Sequence, residues 1–312
     1  MKVRLLKTEG KGYFEEVSWT VPQLEPNQIR VEAIMTGVCR SDIDMMVGKF
    51  GPLPDSMQGH EGLGRIIDIG EQLKNVRNYK IGDIVATRGE PAYADIYNCD
   101  YGNFVVVPEV HPKYILEPVA CGINLVANLV GQNMPMSNRD TSRVAVIGSG
   151  FLAWVAVNHL KRCFYHLDVE VISKSRDLCN TIHWAGHATI CSEMTGRYDL
   201  IVDLSGQTEY LNQDSFNPNA IVVIGSEKHP GATMDFSRLI WNNCKMFFPS
   251  PRDKDFSRRM LIAKEVIENG SLSVDRFWTR AYCRDTEWRQ AFEDGLNRTP
   301  DYSRGYIWWK NG

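Results

Sequence analysis

The chain counts 312 residues with 43% hydrophobic side chains and a net charge of −3, enough apolar length for two domains and too apolar for a disordered chain. Lys and Arg are scattered, so no basic run offers itself to nucleic acid or to an anionic membrane. No stretch reaches the roughly 18 apolar residues of a bilayer span, and the opening MKVRLLKTEG lacks an apolar signal core, so a cytoplasmic protein is expected.

In chain order, KVRLLK, IRVEAIMTGV, GLGRIIDIG, GDIVATRG and GNFVVVP are β-rich runs divided by Gly, Asn and Pro. They predict an irregular, partly barrel-like β domain. The pattern then changes. SRVAVIGSG reads as a buried strand entering a glycine turn, FLAWVAVNHLKRC as a helix, DVEVIS as a second strand, and RDLCNTIHWAG as a second helix stopped by Gly186. YDLIVDLSG and NAIVVIGS are further strands. Strands alternating with helices predict a parallel sheet with crossover helices. After KMFFPSP a helix is expected over DFSRRMLIAKEVIENG, ended by Gly270, and the tail through YSRGYIWW folds back on the first domain. The eight cysteines are dispersed along the chain, which suits thiols or ligands better than disulfides.

VAVIGSGFLA sets Gly148 and Gly150 directly after a strand and before a helix. The chain must turn tightly there, and a pyrophosphate must reach backbone N–H groups at the helix start. Gly148, Gly150, Phe151 and Leu152 are therefore candidate dinucleotide contacts, with Ala153 small enough for close helix–strand packing. The second strand ends in Ser173, Lys174, Ser175 and Arg176. Hydroxyls and two cations suit a ribose 2′-phosphate, which a carboxylate would repel, so NADP(H) is expected. Glu170 lies inside the strand, poorly placed for the ribose.

Cys39 in GVCRSDIDMMVGKF precedes His60 in GHEGLG by 21 residues. Taken singly, Cys39 suits a buried small residue, His60 a hydrogen-bonded core imidazole, and Glu117 a turn carboxylate before Pro118. Taken together with the glycine turn downstream, they resemble the medium-chain dehydrogenase/reductase superfamily, in its zinc-dependent alcohol, polyol and glucose dehydrogenase branch. GVCRSD is similar to that branch's G-x-C-x-[ST]-D, GHEGLG to its GHE-x-x-G, and LEPVACG to its EP segment; VGKFG is nearest to the glucose dehydrogenases.

The resemblance implies an α/β fold: a GroES-like, partly barrel catalytic domain over residues 1–122 and 255–312, and a Rossmann, doubly wound domain over 123–254. It implies one catalytic Zn²⁺ held by Cys39, His60, Glu61 and Glu117, the last two directly or through water. Asp42 would orient His60, Ser41 would carry a proton toward solvent, and Arg40 would contact the cofactor pyrophosphate. Gly206, Gly225 and Ser250 would line the nicotinamide side of an interdomain cleft. A homo-oligomer, dimer or tetramer, is implied as well.

Two departures from the family pattern stand out. GEPAYADIYNCDY contains only Cys99 where many relatives carry a four-cysteine lobe, so no structural zinc is expected. The histidine that often ends the family's proton relay would fall near Asp44, so either the relay is shorter here or Asp44 takes its solvent end. His183, His187 and Cys191 are spaced four apart, but Gly186 breaks the helix they would need. Cys121 could compete for the metal near Glu117, and Arg304 is a speculative phosphate contact.

The expected activity is hydride transfer between NADP(H) and an alcohol or polyol, or the corresponding aldehyde or ketone. The subgroup likeness favours a sugar or polyol, yet FFPSPRDKDF lacks the asparagine-rich loop of a glucose dehydrogenase. Two alternatives remain at this point: a zinc-free NADPH quinone or enone reductase of the same fold, and a dinucleotide-binding protein without turnover.

Overall fold

The computed structural model describes residues 1–51, 54–75, 78–127, 129, 142–173, 187–206, 209–212, 214–226 and 236–309. The chain forms two units, Met1–Ala120 with Lys254–Gly312, and Cys121–Asp253.

The first unit opens with β1 (Lys2–Lys7) and β2 (Glu15–Thr20), an antiparallel pair. β3 (Gln28–Gly37) is the strand around which the larger sheet is built. It alternates, with Ile29, Val31 and Ala33 buried between half-buried Arg30 and Glu32, as a strand with one face on a core must. The helix α1 (Arg40–Met46) follows it closely, and then come β4 (Gly62–Ile69), β5 (Ile84–Thr87), β6 (Ile96–Asp100) and β7 (Phe104–Val107). All are joined antiparallel, β4 along one edge of β3 and β6 along part of the other. The helix α2 (Glu117–Ala127) begins at the end of this segment.

The second unit holds β8 (Arg143–Ile147), α3 (Phe151–Cys163), β9 (Asp168–Ile172), β10 (Thr189–Cys191), β11 (Tyr198–Asp203), β12 (Phe216–Ile224), α4 (Phe236–Trp241) and β13 (Lys245–Phe247). Its sheet is parallel throughout, in the order β10-β9-β8-β11-β12-β13. That is the doubly wound order 3-2-1-4-5-6, which reverses between β8 and β11. All six residues of β11 are buried, so it reads as an unbroken run rather than an alternation. The helix expected over RDLCNTIHWAG lies outside the described residues, as do Lys174, Arg176 and His183.

The chain then returns to the first unit with α5 (Phe256–Glu268), β14 (Trp278–Cys283), α6 (Trp288–Leu296) and β15 (Arg304–Trp308). β15 pairs antiparallel with β3, Tyr306 opposite Gly37. Phe292 of α6 stacks on Phe14 with ring centroids 3.8 Å apart, which ties the returning segment into the β core. The architecture is α/β, an irregular and mainly antiparallel sheet in one unit, in which only β14 and β15 run parallel among the described strands, and a Rossmann-type sheet in the other. No described helix is long and apolar enough to cross a membrane.

Candidate metal centre and dinucleotide turn

The 21-residue separation of Cys39 and His60 follows from the pairing of β3 with β4. Their register sets Thr36 opposite Gly62, and the Gly37 N–H donates to the Glu61 carbonyl at 2.9 Å. Residues just past the end of one strand therefore meet residues just before the start of the other. There the Cys39 sulfur, a His60 ring nitrogen and a Glu61 carboxylate oxygen all lie within 4.8 Å of one another. Among the described residues no other three His, Cys, Asp or Glu side chains gather this way.

Asp42 organises the group. Cys39 caps α1, and its N–H donates to Asp42 Oδ2 at 2.8 Å, half of the reciprocal bonding of a capping box. Asp42 Oδ1 faces His60 Nδ1 at 3.6 Å. That oxygen is buried with no hydrogen-bond partner, an arrangement that costs free energy unless the facing ring supplies a proton. Glu61 is fully buried, and Arg304 of β15 donates to both of its carboxylate oxygens. Gly37 is obligatory beside it, because a Cβ there would stand 2.0 Å from Glu61 Oε2.

The fit to a divalent ion is good on this chain's own chemistry. Sulfur, imidazole and carboxylate are a donor set that zinc accepts. The orphaned oxygen of Asp42 is what a ligating histidine's second nitrogen needs.

In the second unit, Gly148 turns at φ 112° after β8, and its N–H donates to Ile172 at the end of β9. Gly150 caps α3, exposed, with open space where a Cβ would stand. Phe151 and Leu152 form the helix's first turn, and Ala153 is buried beneath it. The first N–H groups of a helix lack acceptors within it and attract anions, and the sheet order reverses at this same strand. Ser149 and Ser173 hydroxyls bond at 2.9 Å, tying the turn to the end of β9. Gly225, just after β12, donates to the carbonyl of Asp203, the last residue of β11, and Gly206 stands close after that strand with φ 73°.

Residues 25–114 match the family model described as alcohol dehydrogenase GroES-like domain. L-threonine 3-dehydrogenase of Caldanaerobacter subterraneus subsp. tengcongensis is 24% identical over 265 residues, 70% of this chain and 71% of that protein. D-arabitol-phosphate dehydrogenase of Enterococcus avium is 21% identical over 337 residues, 89% of each. Galactitol-1-phosphate dehydrogenase of Escherichia coli superposes with a TM-score of 0.77 at 15% identity, over 98% of this chain and 99% of that structure. Residues 25–114 carry an alcohol dehydrogenase GroES-like domain, and the chain as a whole has the fold of the medium-chain dehydrogenases/reductases.

Charge is concentrated at the cysteine–histidine group. Burial opposes a charged His60, but Asp42, Cys39 and Glu117 outweigh it and hold the imidazole well above the usual histidine range. Burial likewise opposes a charged Arg304, and Glu61, Cys39 and Glu117 more than compensate. Glu117 is buried at the start of α2, outside the set that gathers within 4.8 Å, though its charge reaches both of these cations. Burial and the Asp42 carboxylate push the Tyr93 phenol far up, so it acts only as a donor.

The remaining candidate residues have partners of their own in each unit. Ser41 is half-buried on α1, and Arg40 is exposed beside it with Nε 3.2 Å from Asp44. Asp44 also accepts from Lys49 at 2.7 Å, so the carboxylate expected at the solvent end of a relay is held by two cations. Arg304, expected as a phosphate contact, is instead engaged with Glu61. Glu170 takes an ion pair from Arg143 and a 2.7 Å bond from the Tyr198 hydroxyl. Cys191 lies on β10 with its sulfur 3.9 Å from Glu170, and His187 packs edge-on against Trp154. Tyr93 is the partner that motif reading passes over, an aromatic between two alanines, and Arg304 stands out in the sequence only as a phosphate contact, with nothing there to pair it with Glu61.

Proposed function

We propose that this protein is a zinc-dependent oxidoreductase that uses NADP(H) to interconvert an alcohol or polyol with the corresponding aldehyde or ketone. The observation that carries the reading is the convergence of Cys39, His60 and Glu61 donor atoms within 4.8 Å. In this reading those three hold the ion, with Glu117 as a further ligand direct or through water. When bound, the metal supplies Lewis acidity at the substrate oxygen and the nicotinamide supplies or accepts the hydride.

The chain's own groups do the rest. Asp42 holds the His60 ring by its Nδ1 side, and Ser41 passes a proton between the substrate oxygen and solvent. Gly148, Gly150, Phe151 and Leu152 present backbone N–H groups to the pyrophosphate, with Arg40 as a further cation for it. Ser173, Lys174 and Arg176 bind the 2′-phosphate, and Gly206 and Gly225 leave backbone room for the nicotinamide. The named relatives acting on phosphorylated polyols make those compounds part of the substrate class to be tried. A cytoplasmic homo-oligomer, dimer or tetramer, belongs to the same proposal.

The test is a cofactor-turnover screen over alcohols, polyols, polyol phosphates, aldehydes and ketones, run on zinc-loaded and on chelator-treated protein. Turnover that is lost on chelation and restored by Zn²⁺ is the expected result. Turnover indifferent to chelation points to a zinc-free quinone or enone reductase. NADPH binding with no turnover anywhere in the panel points to a non-catalytic dinucleotide-binding protein.

A further inference from the structure

We infer that Tyr93 is a positioning residue of the metal centre, acting through Asp42 to hold the cysteine and histidine segments in the arrangement that grips a divalent cation. The inference rests on the zinc reading above and adds a residue to it.

Tyr93 lies in the segment between β5 and β6 and is fully buried. Its hydroxyl donates to Asp42 Oδ2 at 2.7 Å, with the Gly37 carbonyl oxygen 3.3 Å away. Asp42 Oδ2 thus has two donors, this phenol and the Cys39 N–H, while Oδ1 faces His60. One carboxylate serves both ligand-bearing segments, and Tyr93 is the group that reaches it from a third.

Main-chain bonds fasten the same segment to the approach to His60. Tyr93 N–H donates to Gln58 and Ala92 N–H donates to Gly59, at 3.1 and 3.0 Å. The tyrosine ring occupies the space a Gly59 Cβ would need, 2.7 Å from where that atom would stand. Phe14 and Phe292 meet the ring edge-on, with centroids 5.8 and 5.4 Å away. The ring is therefore locked by packing, and the hydroxyl has a fixed aim. Removing only the hydroxyl leaves the packing intact but strips a buried carboxylate of one of its two donors. Asp42 is then free to turn, and the His60 ring loses a fixed acceptor.

The test is Tyr93→Phe. Zinc affinity is read by competition with a chromophoric chelator, ligand geometry by the visible absorption of the Co²⁺-substituted protein, and folding by melting of the metal-free form. The expected result is zinc affinity lower by about 10- to 100-fold, the usual effect of losing a partner behind a metal ligand. The Co²⁺ bands should change, while the metal-free form should still melt cooperatively, at a temperature lower by no more than several degrees. Combined with Asp42→Asn, the second substitution should add little, because both act through one carboxylate. Unchanged affinity and Co²⁺ spectrum in Tyr93→Phe, or losses that multiply in the double variant, would overturn the inference and leave the zinc reading standing. A wild-type chain that binds neither ion would remove both.

Discussion

The Arg304 guanidinium donates to both carboxylate oxygens of Glu61, joining two residues 243 positions apart inside the first unit. Glu61 is completely buried and the Arg304 side chain is only 11% exposed, so the carboxylate has no water to fall back on and the guanidinium little. Removing one member of such a pair typically costs about 3–5 kcal/mol, because the other is left uncompensated. Arg304→Gln should lower the unfolding free energy of the metal-free protein by about that amount in a urea titration. Zinc should recover part of the loss, since a dication beside Glu61 replaces the missing positive charge. A loss under about 1 kcal/mol would mean that water or another group already satisfies Glu61.

Glu170 supplies the pH test. Burial disfavours its charged form, but hydrogen bonds from Arg143 and Tyr198 overcome this and hold its pKa below the ordinary 4.5. A carboxylate with a lowered folded-state pKa contributes stability above its unfolded value, and the contribution is lost as pH falls through the folded value. Glu170→Gln should therefore cost about 2 kcal/mol near neutral pH. The gap between variant and wild type should shrink below pH 4.5 and close in stronger acid. A gap independent of pH would assign the effect to packing.

The proposal of NADP(H) rests on the residues after β9, where Ser173 is the last described residue of its stretch. Lys174 and Arg176 follow it in sequence, beyond the described residues. Replacing both with alanine should weaken NADPH binding far more than NADH, by roughly 10-fold or more in the ratio of dissociation constants. Equal weakening of both cofactors would make these charges unselective.

Cys39→Ser removes the sulfur donor while leaving the cap of α1 polar. Zinc and turnover should both be lost, with NADPH affinity little changed by fluorescence titration, because the glycine turn lies in the other unit. Full activity in this variant would take Cys39 out of the metal centre.

Much of this molecule was readable from local pattern. VAVI and the LIV of YDLIVD are unbroken apolar runs because both faces of a parallel strand are covered, and Gly148, at φ 112°, marks a turn that few other residues could make. GVCRSD and GHEGLG pointed to side chains that the structure does bring together, Cys39, His60 and Glu61, because an antiparallel ladder joins two strands close in sequence. What escaped was long-range or concealed by residue type. The Glu61–Arg304 pair spans most of the chain, and nothing near Arg304 signals burial. Tyr93 looks like core, and it is core, with a polar tip whose partner only the fold reveals. Short strands were missed for the same reason. β13 is three residues long, and β12 begins earlier than its apolar run because Pro218 and Asn219, the latter at φ 66°, sit within it.

The measurement that bears most directly on the account is elemental analysis of the protein purified without chelator, paired with its specific activity before and after dialysis against one. About one zinc per chain, removed together with activity and restored with it, is the predicted result. Full activity in protein that contains no zinc or other divalent ion would contradict it.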